Sequence, residues 1–157
     1  LQNKKIIASQ VSGDFILPKN INLPMVFIAG GVGITPFRSM IQYLIDKNLS
    51  SDIVLLYSNR KYNDILFSDI FEKAKRNGVK SIYALTEKEN IPSSWKGKVG
   101  YINEGMIKEE IPDYKNRRFY ISGPQLMVKN FENILVEMGI NKKKIKTDFF
   151  PGYAETR

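Results

Sequence analysis

Cysteine and histidine are both absent from this chain of 157 residues. Without them there are no disulfides, no thiolate nucleophile, no iron–sulfur ligation, no zinc site built on Cys or His, and no Ser-His-Asp triad. Acid–base catalysis near neutral pH would need a shifted Lys, Asp, Glu or Tyr. The chemistry is therefore expected to belong to a bound cofactor. No apolar run approaches the ~20 residues of a membrane span, and no basic-then-apolar signal peptide opens the chain. Residue 1 is Leu rather than Met, so sequence upstream of it is expected. No run of like charge exceeds the three lysines 142–144, short of the ~5–8 residues of a basic tract. Nucleic acid is not expected as a partner.

The residues present suit one compact domain with a short appendage: 43% are hydrophobic, and the net charge is +8 from 24 basic and 16 acidic side chains. Lys outnumbers Arg 18 to 6, which fits a coding bias as well as a binding face for an anionic cofactor or acidic partner.

Residues 5–12 read as a short strand, Gly13-Asp14 as a turn, and 15–17 as a second extended piece. Pro18, Asn20, Asn22 and Pro24 interrupt any regular pattern over 18–24, which places a linker there and a domain boundary after it. From Met25 the pattern alternates. Strands are predicted at 25–29, 53–57, 81–85, 118–121 and 145–150, and helices after Pro36, at about 64–76, near 104–110 and after Pro124. Thr35 is placed as a helix cap, with Pro36 in the first turn. The expected fold is α/β, a doubly wound five-stranded parallel sheet with helices on both faces.

In such a sheet the ligand lies beyond the carboxyl ends of the strands. After the first strand comes Gly30-Gly31-Val32-Gly33-Ile34-Thr35-Pro36. Glycines allow a tight turn and close approach to a pyrophosphate, and the adjoining helix N-terminus offers free N–H groups. A bare strand-to-helix turn would also use Gly-Gly, but Thr and Pro at these offsets favour dinucleotide binding. After the second strand comes Ser58-Asn59-Arg60, with no acid before Asp64. Arg60 and Ser58 suit a 2′-phosphate, which leans the expectation to NADP over NAD; stacking on adenine or facing solvent are the alternatives for Arg60. Thr86 comes just after the third strand. Ser122-Gly123-Pro124 comes after the fourth, with Met127 one turn on, and is by itself equally an ordinary strand-to-helix turn.

GGVGITP, LLYSNR, YISGP and TDFFPGY, in that order, resemble the ferredoxin–NADP⁺ reductase superfamily. That group includes cytochrome b5 reductases, flavodoxin reductases, oxygenase reductase components and the electron-transfer subunits of dihydroorotate dehydrogenases. The likeness covers roughly residues 5–153. It implies a flavin-binding β-barrel and then this nucleotide domain, with residues 1–24 as the barrel's last edge and linker and 25–157 as the NAD(P)-binding domain. The family's flavin signature, Arg-x-Tyr-Ser or Arg-x-Tyr-Thr, is absent; the nearest string is Arg60-Lys61-Tyr62-Asn63. FAD is thus expected to be held mainly by a domain upstream of Leu1.

By the same resemblance, Gly31, Gly33 and Thr35 would meet the pyrophosphate and nicotinamide side. Ser58 and Arg60 would meet the adenosine, and Gly123 and Pro124 the nicotinamide. Ser122 stands where many members have Cys beside the hydride path, which implies tuned rather than abolished transfer. Asp148-Phe149-Phe150 resembles the family's acid-x-aromatic ending, whose aromatic lies against the flavin. Strand alternation sends Asp148 and Phe150 to one face and Phe149 to the other, and Phe150 is expected at the cleft, with core packing as its alternative. Tyr153 is either a further flavin contact or a tail.

The resemblance implies hydride exchange between NAD(P)H and FAD, with electrons passing to ferredoxin, haem, a metal centre or another acceptor. Two rivals stay open: a non-catalytic nucleotide module of a larger membrane or multisubunit reductase, and a basic interaction domain. The expected location is the cytoplasm, or the cytoplasmic face of a membrane if spans lie upstream.

Overall fold

Met25–Gly30 carries no polar side chain and is buried throughout; in the computed structural model, which describes residues 13–89 and 91–150, it forms β1 inside the sheet. The expected strand at 5–12 and the Pro151-Gly152-Tyr153 ending lie outside the described residues. The other strands are β2 (Ile53–Asn59), β3 (Val79–Leu85), β4 (Lys98–Val99), β5 (Arg118–Pro124) and β6 (Ile145–Phe150). All pair in parallel, in the order β4-β3-β2-β1-β5-β6. The helices are α1 (Ile34–Asp46), α2 (Ser68–Lys73), α3 (Glu104–Glu110) and α4 (Gln125–Glu137).

Alternation along the strands sorts the core into two layers. Val26, Ile28, Val54, Leu56, Phe119 and Ile121 pack against Ile107 of α3 and Val128, Phe131 and Leu135 of α4. Met25, Phe27, Ile53, Leu55, Tyr57 and Tyr120 face Phe37, Ile41 and Leu44 of α1 and Phe71 of α2. Phe15 extends this second layer, its ring 5.6 Å from those of Phe37 and Tyr120. The segment that carries Phe15 therefore packs against this layer.

Three sequence expectations change. Among the described residues the sheet has six strands rather than five: β4 is only two residues, paired Ala84 to Lys98 and Leu85 to Val99, too short to show any alternation. The helix expected over 64–76 is broken. A single 3₁₀ turn covers Tyr62–Asp64, α2 spans Ser68–Lys73, and another 3₁₀ turn covers Ala74–Asn77. Ile65 and Phe67 are two apart, a strand-like spacing. Phe67 has φ 59°, so both reach the core from a non-helical segment. Finally, Thr35 is not the cap of α1. A 3₁₀ turn at Gly31–Gly33 leads straight into the helix at Ile34, and the Thr35 hydroxyl donates to the Val32 carbonyl at 3.1 Å. Pro36 still lies in the first turn, where its missing N–H leaves no helical bond unmade. Pro124 closes β5, and α4 begins one residue later.

Asn103 caps α3, accepting from the Met106 N–H at 3.0 Å. Asn103→Ala is expected to cost ~1 kcal/mol of unfolding free energy, the usual worth of such a cap, measurable by urea denaturation.

Candidate nucleotide cleft

Strand register brings the expected residues to one edge. Gly30 of β1 lies opposite Ser58 of β2, Ala29 opposite Ser122 of β5, and Ser122 opposite Asp148 of β6. Ser58-Asn59 and Ser122-Gly123-Pro124 are the last rungs of their strands rather than loop residues, since Asn59 pairs with Leu85 and Pro124 with Phe150. The chain runs outward from β1 to β2, β3 and β4 on one side, then returns to add β5 and β6 on the other. The β1/β5 boundary is thus the switch point, where a crevice must open because successive connections diverge.

The glycines at this boundary are required by contact as well as by turning. A Cβ on Gly33 would lie 2.3 Å from the Ser122 carbonyl oxygen and 2.6 Å from the Gly123 Cα. Gly31 has φ +52°, the left-handed region that disfavours other residues. The backbone here is drawn against β5, and its turn faces the crevice.

That crevice is a cavity of about 960 Å³, at the upper end of the ~300–1,000 Å³ typical of small-molecule sites. Gly30, Gly31, Pro124 and Met127 line its switch-point end; Ser58, Asn59, Arg60 and Thr86 line the other. Gly33, Thr35, Pro36, Ser122, Gly123, Asp148 and Phe150 do not form its wall. Gly33 and Ser122 are buried, and the Ser122 hydroxyl has no hydrogen-bond partner among the described residues. Thr35 and Pro36 belong to the first turn of α1. Pairing puts Asp148 and Phe150 on the Ser122–Pro124 side of the sheet and Phe149 on the other, and both phenylalanines are exposed rather than in the core.

Several lining residues escape the sequence reading. Val32 lies inside the glycine string itself, and Asn63, Asp64 and Leu66 come after the turn that ends β2. Tyr101 and Ile102 come just after β4; recognising that strand would have flagged them. Leu126, Asn130, Phe131 and Ile134 come from α4, where helical spacing marks core positions but not which of them also reach a cavity. Asn59 is buried, and neither polar atom of its amide makes a hydrogen bond among the described residues.

Charges cluster at the β2/β3 end. Thr86 N–H donates to the Asn59 carbonyl at 2.9 Å and Glu87 N–H to the Arg60 carbonyl at 3.1 Å, continuing the ladder past the strand ends. This carries the Glu87 carboxylate to 3.7 Å from both Arg60 and Lys61. Arg60 therefore faces an acid of its own chain. Burial pushes the Tyr57 and Tyr83 phenols up, Tyr83 to about 12, so neither loses a proton near neutrality. Among the described residues no group of Asp and Glu is arranged to hold a metal ion, and no helix is long and apolar enough to cross a membrane.

Residues 27–133 match the family model described as oxidoreductase NAD-binding domain. The flavohemoprotein of Oceanobacillus iheyensis is 30% identical over 144 residues, covering 90% of this chain and 35% of its own length. The nitrate reductase [NADPH] of Aspergillus niger is 37% identical over 117 residues, 71% of this chain and 13% of that protein. The crystal structure of flavohemoglobin from Malassezia yamatoensis with bound FAD and heme superposes with a TM-score of 0.75 at 26% identity, over 96% of this chain and 39% of that one. This chain thus spans well under half the length of each of these proteins. Together with the switch-point cleft and its glycine turn, the match over more than half its length places the chain in the oxidoreductase NAD-binding domain family, of ferredoxin–NADP⁺ reductase type.

Proposed function

We propose that the cleft binds a nicotinamide dinucleotide and presents it to a flavin held mainly by a separate domain. Residues 25–157 would be the nucleotide-binding unit and 1–24 its connection to a flavin-binding barrel. The observation that carries this reading is the glycine turn at the β1/β5 switch point, closed against Ser122 and Gly123 and open to a long cleft. A pyrophosphate fits there because the backbone at Gly30 and Gly31 lines the cleft without side chains. The adenosine end falls to Ser58, Asn59, Arg60 and Thr86. The unpartnered Asn59 amide offers a donor and an acceptor to a polar ligand. The nicotinamide end falls to Pro124 and Met127, with the Gly123 backbone behind them.

When bound, the nicotinamide and flavin rings supply the hydride transfer. The chain's own part is positioning and exclusion of water. The buried Ser122 hydroxyl has a hydrogen bond to give beside the nicotinamide. The exposed Phe150, on the Ser122–Pro124 side of the sheet, can cover an apolar ring at the same edge. Onward electrons would go to a haem, ferredoxin or metal centre on another domain or protein, and the chain alone would not turn over.

Titration of the protein with NAD⁺, monitored by amide NMR shifts, tests this. Saturable shifts are expected at 30–33, 58–60 and 122–127. No binding of either nicotinamide nucleotide would overturn the reading. Tight FAD binding with diaphorase activity would overturn the assignment of the flavin to another domain.

A further inference from the structure

Resting on that reading, we propose that the adenosine end is set for a free ribose 2′-hydroxyl rather than a 2′-phosphate, and that Glu87 is the residue that decides it. The sequence expectation of NADP depends on Arg60 being available to an added phosphate. In the folded chain it is not alone. Glu87 lies 27 residues further on, yet the continued β2–β3 ladder fixes its backbone beside that of Arg60.

The side chains bear this out. The Glu87 carboxylate stands 3.7 Å from the Arg60 guanidinium and 3.7 Å from the Lys61 ammonium. Its Oε2 is buried and accepts no hydrogen bond among the described residues, where its contacts with Arg60 and Lys61 are those of a charge neighbour. The cations are 81% and 61% exposed, whereas Glu87 is only 24% exposed, so the acid is the better-held partner. Asp64, which lines the cleft, adds a second carboxylate whose Oδ2 accepts from the Lys61 N–H at 3.1 Å.

Arg60 and Lys61 together are therefore balanced by Asp64 and Glu87, and the next pair, Lys88 and Glu89, also cancels. A 2′-phosphate would bring about two further negative charges to a site with no surplus of positive charge. To reach Arg60 it would have to displace Glu87 or share the guanidinium with it. A carboxylate already beside the cation cancels much of the attraction a phosphate would find there, so the 2′-phosphate gains little to offset the loss of its own hydration. A ribose diol, being neutral, meets no such cost.

The test is the ratio of dissociation constants for NADP⁺ and NAD⁺, measured by calorimetry on the protein and on Glu87→Gln. The unaltered protein is expected to bind NAD⁺ at least tenfold more tightly. Glu87→Gln keeps the side chain's size and the backbone ladder while releasing Arg60 and Lys61. It should shift the ratio at least tenfold toward NADP⁺ and leave NAD⁺ within about threefold. Adding Arg60→Gln to that variant should remove the gain, and thermal unfolding should stay level, because exposed ion pairs contribute little stability. An unaltered protein that prefers NADP⁺, or a Glu87→Gln ratio that does not move, overturns the proposal. Failure to bind either nucleotide would instead count against the cleft assignment on which it rests.

Discussion

Gly33→Ala is expected to be the most damaging single-methyl change in the nucleotide cleft, costing ~3 kcal/mol of stability, at the upper end for overpacking. Backbone conformation is not the reason, since Gly33 has φ −60° and ψ −5°, values that any residue adopts. The reason is contact. The added carbon would meet the Ser122 carbonyl oxygen at 2.3 Å, its carbon at 2.5 Å and the Gly123 Cα at 2.6 Å, all main-chain atoms of an interior strand. No side chain can swing aside, so β1's turn must move away from β5. The crevice wall moves with it.

Its neighbours provide the contrast. Gly31→Ala meets nothing within 4 Å and carries only the left-handed φ, a cost of ~1–2 kcal/mol. Gly30→Ala collides with the Met127 sulfur at 2.2 Å, the far end of a flexible side chain, and Met127→Ala should largely relieve it. Chemical denaturation of the three variants, with NAD⁺ titration of the folded fraction, should rank Gly33→Ala worst on both measures. A mild Gly33→Ala would mean that β1 and β5 are not closely apposed at the switch point.

Removing Asp52 is expected to destabilise the domain more than removing its partner Arg117. Arg117 lies just before β5, with its side chain 9% exposed. It donates to both Asp52 oxygens at 2.8 and 2.9 Å and to Asp113 at 2.8 Å, clamping the strand starts opposite the cleft. Asp52→Ala leaves a buried guanidinium with Asp113 and a long bond to the Met25 carbonyl, at a cost of ~3 kcal/mol. Arg117→Met leaves carboxylates that are 58% and 47% exposed and still hydrated, and the methionine stem fills the same space. That change should cost ~1–2 kcal/mol, since the groups it leaves unpaired are already in water.

Acid titration adds a second readout. The Arg117 hydrogen bond holds the Asp113 carboxyl below its ordinary value. A depressed folded value stabilises the native state above the ordinary carboxylate range and is lost as pH falls through the folded value, so stability should decline below about pH 4. In Arg117→Met that share of the acid-side decline should vanish. Glu110, held low by Lys98 and then Lys80, keeps its own share in both proteins. NAD⁺ affinity per folded molecule should be unchanged, because the clamp and the cleft occupy opposite ends of the strands. A fall in affinity equal to the fall in stability would show that the two ends are coupled.

Much of the cleft is legible because its residues come directly after apolar strands. The run 25–29 announces a buried strand, and the residues next after it in a parallel sheet must reach the ligand edge. The same reasoning finds Ser58, Thr86 and Pro124. It misses β4, whose two residues carry no period, and with it Tyr101 and Ile102. It joins Ile65 and Phe67 to a helix that starts only at Ser68, because their apolar side chains adjoin the helical pattern although their two-residue spacing is that of an extended chain. It also gives Thr35 a capping role that the 3₁₀ turn before α1 makes unnecessary.

The sequence alone determined the layers, the strand-to-helix alternation and the glycine turn, because these arise from side-chain period and backbone permissiveness within a few residues. Only the tertiary structure decided which strand stands beside which. The β1/β5 contact makes Gly33 indispensable, Arg117 meets Asp52 across 65 residues, and Glu87 lies beside Arg60. Close contact and charge act through space, and the positions they join share no local pattern along the chain.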